Sequence, residues 1–99
     1  MFLRLPSSGG YYAFEQKYLP RALTWDRLLA ETRTPGIHFE DYPQLQGYDL
    51  PEWSHASAPE ARRMTLQLAP LVDAEFARQA AAVSSAGIAA GSGTERTTR

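Results

Sequence analysis

Two segments of this chain read as β-strand, and what separates them decides the fold. "FLRLP" at 2–6 places Phe2, Leu3 and Leu5 before Pro6 and Gly9-Gly10, which end it. "IHFEDY" at 37–42 alternates apolar and polar residues from Ile37 to Phe39. Between them lies "YYAFEQKYLPRALTWDRLLAETR", a helical stretch far too long for a hairpin. Strand, helix and strand in that order make parallel neighbours joined by a right-handed crossover. Pro20 cannot sit inside a helix without removing a hydrogen bond, so the stretch splits into helices over 11–18 and 24–33. Thr24 fits an N-cap, and Trp25, Leu28, Leu29 and Thr32 then share one face.

Beyond the second strand, "PQLQGYDLPEWSHA" at 43–56 is an irregular loop punctuated by Pro43, Gly47 and Pro51. A third helix starts near residue 58. Ser57 and Glu60 have capping-box spacing, and Pro59 suits a first turn. Its apolar stripe is Ala61, Met64, Leu68, Leu71, Val72 and Phe76, with Pro70 expected to kink or split it. The order is β-α-α-β-loop-α. A parallel sheet needs more than two strands and cover on both faces. The pattern therefore predicts the C-terminal portion of a doubly wound, flavodoxin-like α/β sheet. Ten of the eleven aromatic residues lie between Phe2 and Trp53 and the last is Phe76, so the folded part is expected to be 1–83. The Gly/Ser/Thr-rich 84–99 is expected to be a disordered tail.

The 99 residues allow one small domain. A net charge of −1 gives no reason to expect nucleic acid or an anionic membrane as partner. The chain has no cysteine, which removes disulfides and thiolate metal sites and leaves the compartment open. No apolar run approaches the ~20 residues of a membrane span. "MFLRLPSSGG" is too short and too soon broken by Pro6 for a signal peptide.

The chemistry is concentrated in "DLPEWSHASAPEARRMT", Asp49 to Thr65. In open α/β sheets functional groups collect in loops at the carboxyl ends of strands, and this loop leaves the second strand at that end. Glu52 and His55 stand three residues apart, close enough in a turn for their side chains to meet. A carboxylate on one ring nitrogen fixes the imidazole tautomer and stabilises the imidazolium. The other nitrogen is then free to take a proton from a hydroxyl. Asp49 is the alternative acid if the loop folds back, and Trp53 is placed to shield the pair.

The segment "YDLPEWSHASAPEARRMTLQLAPLV" resembles the C-terminal block of SGNH/GDSL-type hydrolases, in which an Asp-x-x-His before the last helix supplies the acid and base of a Ser-His-Asp triad. "FLRLPSSG" is similar to a late strand and loop of that sheet, and "WDRLLAETRTPGIHFEDYPQL" to the helix and strand leading to the histidine. The look is closest to bacterial SGNH-like proteins of the D-alanyl-transfer and alginate-acetylation kind, over residues 1–78. The resemblance implies an esterase or acyltransferase working through a serine acyl-enzyme, with His55 as base and Glu52 or Asp49 as its acid. It requires no cofactor or metal. Two departures stand out: the acid is Glu52 rather than Asp, and no Gly-Asp-Ser motif occurs. The nucleophile is thus expected from a missing N-terminal half or a partner chain, and this chain alone is expected to be inactive.

Other residues have simpler readings. Ser7 and Ser8 precede Gly9-Gly10 but do not form a Gly-x-Ser-x-Gly elbow, and Ser54 and Ser57 fit loop and cap positions. His38, Glu40, Asp41 and His55 are metal-capable, yet no zinc spacing connects them. Arg62-Arg63 could attract an anion, with a solvated face as the default. Tyr11, Tyr12, Phe14 and Tyr18 suggest a carbohydrate-facing patch or cover for a neighbouring strand. The rival functional expectation is a non-catalytic α/β interaction module or a remnant of such a hydrolase. In either case exposed sheet edges could drive homodimerisation.

Overall fold

In the computed structural model the backbone is described for residues 1–97 and side chains for residues 1–87. The elements run β1 (Phe2–Arg4), α1 (Gly9–Tyr18), α2 (Trp25–Thr32), β2 (Gly36–His38) and α3 (Ala58–Thr97). Single 3-10 turns occupy Arg21–Leu23, Phe39–Asp41 and Pro43–Leu45. The strands pair in parallel, with Phe2 opposite Gly36, Leu3 opposite Ile37 and Arg4 opposite His38. The chain is therefore a mixed α/β protein, mostly helical, with a two-stranded parallel sheet. It divides into two compact units, Met1–Leu68 and Ala69–Arg99.

Within the first unit, α2 lies against the sheet through Trp25 and Leu29. A Cβ built on Gly36 would stand 2.6 Å from Trp25 Cζ2 and 2.9 Å from Leu29 Cδ2, so only glycine lets helix and strand approach this closely. The core sits in β2 and the segment after it. Ile37, Phe39, Leu45, Tyr48 and Leu50 are buried, joined by Met64 from α3. The irregular segment is thus a packed one. Its two 3-10 turns let the backbone satisfy its own polar groups while the chain delivers three large side chains inward.

Several local expectations are corrected. β2 stops at His38 because the His38 Nδ1 accepts the Glu40 N–H at 3.2 Å, and this bond bends the chain into a 3-10 turn. Thr24 occupies the N-cap of α2, but its hydroxyl donates back to Pro20 O at 3.1 Å, because the Arg21–Leu23 turn runs straight into the helix. α3 begins at Ala58 without a capping box: Glu60 reaches instead to the Asp49 N–H at 3.0 Å and to Arg63. Pro70 does not split α3, which continues to Thr97. The segment 84–99, expected to be a disordered tail, is helical as far as Thr97; residues 98–99 lie outside the described residues. Of the expected α3 stripe, Met64 is buried, whereas Phe76 is 56% exposed.

Candidate functional site

Two parallel strands bring their carboxyl ends to one rim. After β1 the chain turns through Pro6–Ser8 into α1, and after β2 it runs through the packed segment to Leu50–His55. The two routes meet: the Ser8 N–H donates to Trp53 O at 2.8 Å. The Trp53 ring lies over the first turn of α1, where a Cβ on Gly10 would fall 2.9 Å from its Cζ3. The Tyr11 ring meets it edge-on at 6.0 Å. Gly9 and Gly10 are what allow the indole to settle there.

This anchoring sets the geometry of the loop. Trp53 has φ +61°, an unusual conformation for a bulky residue. The Trp53 N–H donates to Leu50 O at 2.8 Å, and the Ser54 N–H to Glu52 O at 2.7 Å, which closes a three-residue turn on Trp53. That turn folds Glu52 and His55 toward each other, with Glu52 Oε2 3.2 Å from His55 Nδ1. Ser54 Oγ lies 3.4 Å from the same nitrogen. Neither is near His55 Nε2 in any bond among the described residues, so the second ring nitrogen stays open. The pair is highly exposed, at 77% for His55 and 79% for Glu52. Trp53 packs on α1 and does not shield it.

Asp49 takes no part. Its carboxylate makes no hydrogen bond or ion pair among the described residues, and its backbone N–H is held by Glu60. Glu60 also takes two bonds from Arg63, whose guanidinium lies 4.3 Å from the Tyr48 ring centroid. Arg63 is thereby committed to fixing the start of α3, not to an anion. Ser7 is buried, and its hydroxyl accepts from Arg4 at 3.3 Å.

A second polar cluster lies in a cavity of about 500 Å³ on the helical side of the sheet, with His38, Phe39 and Glu40 in its wall. His38 is buried, and its basicity is lowered chiefly by loss of solvent and then by Arg21. A backbone N–H can only donate, so Nδ1 must carry the lone pair and Nε2 the proton. Nε2 lies 3.4 Å from Glu40 Oε1. Tyr12 donates its hydroxyl to Glu40 Oε2 at 2.9 Å, which together with burial raises the phenol's pKa. Arg21 forks onto Asp41 with bonds of 2.8 and 2.9 Å, which holds the Asp41 carboxyl below its usual range. Of the aromatic patch, Tyr11, Phe14 and Tyr18 remain exposed and Tyr12 turns inward. No sequence signal links Tyr12 to Glu40; the crossover alone brings them together. Among the described residues no three metal-capable side chains gather into a ligand set, and no helix is long and apolar enough to cross a membrane.

Comparison with protein-family models, with curated proteins and with solved structures found no match to this chain.

Proposed function

We propose that this chain supplies the acid–base half of an SGNH-type serine esterase or acyltransferase, as the C-terminal part of a doubly wound sheet whose nucleophile lies outside these residues. One observation carries the reading: Glu52 Oε2 lies 3.2 Å from His55 Nδ1, which leaves Nε2 free. The turn that sets this distance is strained at Trp53, and strain of this kind gathers at functional sites. The exposure of the pair suits a base that meets its serine only when a further segment covers the rim.

The chemistry follows from the tautomer. With Glu52 holding the Nδ1 proton, Nε2 accepts the proton of an incoming serine hydroxyl as its oxygen attacks the acyl carbonyl. The tetrahedral adduct collapses when His55 Nε2 returns that proton to the leaving alkoxide, and the acyl group stays on serine. Water or an acceptor alcohol then gives its proton to Nε2 as its oxygen attacks the acyl-serine carbonyl, and His55 returns that proton to the departing serine oxygen, which frees the acid or a new ester. Ser54 cannot be this serine in the observed arrangement, because it sits on the Nδ1 side. Ser7 is tied to Arg4.

The test is reconstitution. The chain is mixed with the Gly-Asp-Ser-bearing N-terminal segment of an SGNH-type hydrolase whose own histidine block has been removed, and a short-chain aryl ester is the substrate. Hydrolysis is expected in the mixture and not from this chain alone. His55→Ala abolishes it, and Glu52→Gln lowers it by roughly 10²–10⁴. Activity that survives His55→Ala, or hydrolysis by the isolated chain, overturns the reading and leaves the non-catalytic interaction module.

A further inference from the structure

The cavity beside β2 has a composition that the rim chemistry does not use. Three aromatic side chains surround His38 and Glu40 in its wall. The Trp25 and His38 rings meet edge-on at 5.3 Å, His38 stacks on Phe39 at 5.1 Å, and Tyr12 meets Phe39 edge-on at 6.1 Å. Leu19 and Leu28 extend the apolar surface.

The charges around this wall are uneven. Arg4 is paired with Glu15, and Arg21 with both Asp41 and Asp26. Both guanidiniums are therefore already matched. Glu40 is different: its partners are the Tyr12 hydroxyl and the His38 ring. A neutral phenol and a neutral imidazole solvate a carboxylate without cancelling its charge. A half-buried anion beside several π systems attracts a cation, and the rings favour a large, weakly hydrated one over a metal ion. Among the described residues no third metal-capable side chain joins His38 and Glu40, which points the same way.

We propose that this cavity binds a small organic cation of the alkyl- or trimethylammonium class, its charge at Glu40 among the rings of Tyr12, Trp25 and Phe39 and its carbon chain toward Leu19 and Leu28. The site is independent of the hydrolase reading, since neither Glu52 nor His55 lines it.

The chain has two tryptophans, so Trp53→Phe leaves Trp25 as the sole indole reporter. Choline and its neutral tert-butyl analogue are titrated against the Trp25 fluorescence of that variant. Saturable binding is expected for choline, at least roughly tenfold tighter than for the neutral analogue. Glu40→Gln should bring the two ligands within about twofold of each other, while Tyr12→Phe, which keeps the carboxylate and the ring, should keep the preference for the cation. If Glu40→Gln proves misfolded by circular dichroism, the choline-to-analogue ratio in the Trp53→Phe protein decides alone. Equal affinities, tighter binding of the neutral analogue, or no saturable response to choline overturn the proposal.

Discussion

Gly36→Ala tests how tightly the helical layer is seated on the sheet. Gly36 pairs with Phe2 in the parallel register and faces α2. The added methyl carbon would stand 2.6 Å from Trp25 Cζ2, 2.9 Å from Trp25 Cη2 and 2.9 Å from Leu29 Cδ2. Leu29 can change rotamer, but the indole is rigid and is also in edge-on contact with His38 at 5.3 Å. Relief requires α2 to lift or Trp25 to leave its place, and forced repacking of this kind costs about 1–3 kcal/mol. In a domain of this size each kcal/mol lowers Tm by roughly 4–8 °C, so a fall of about 5–20 °C is expected in thermal denaturation followed by circular dichroism. Trp25 fluorescence should change with it. Gly87→Ala is the control: nothing lies within 4 Å of its Cβ position, and it should be neutral or stabilising. A Gly36→Ala protein that melts with the parent would show that α2 does not rest on β2 as described.

Three further outcomes follow from the same contacts. His38 has its pKa lowered from 6.5, mainly by burial, so the unfolded chain binds its proton more readily; stability is full above about pH 6.5 and declines as pH falls toward the folded value. His38→Asn, which can still accept the Glu40 N–H, should flatten that part of the Tm-versus-pH curve, and an unchanged slope would remove His38 as its cause. Gly9→Ala places a side chain at φ +55° and into the Trp53 ring, so the Trp53 and Ser54 amides should exchange hydrogen faster; unchanged exchange would mean that α1 does not anchor the loop. Glu60→Gln should loosen the Asp49 amide, because a neutral amide oxygen accepts more weakly than the carboxylate that now holds it and Arg63, and equal protection in both proteins would contradict that role.

The sequence is legible where period and punctuation agree. Pro20 separates two helices, the long crossover makes the strands parallel, and the acid and histidine three apart do converge. It is misleading where one side chain chooses among several backbone partners. His38 ends a strand whose alternation runs on to Phe39, and Glu60 leaves a capping box to hold the loop. The loop's burial is also hidden, since Leu45, Tyr48 and Leu50 have no period and the prolines and glycine around them suggest surface. The Tyr12–Glu40 contact, across 28 residues, exists only once the crossover has formed.

The proton on His55 is the most direct measure of the central claim. Long-range nitrogen–proton NMR on the chain, at a pH where both imidazoles are neutral, reports which nitrogen of each carries hydrogen. The chain has two histidines: the Glu40 N–H fixes His38 as the Nε2–H form, and the proposed function requires His55 to be the Nδ1–H form, with Glu52 Oε2 3.2 Å from that nitrogen. His55 should therefore show Nδ1–H in the parent and shift toward Nε2–H in Glu52→Ala, with His38 unchanged. His55 protonated on Nε2 in both proteins would leave no base nitrogen facing a serine, and the acid–base assignment would fail.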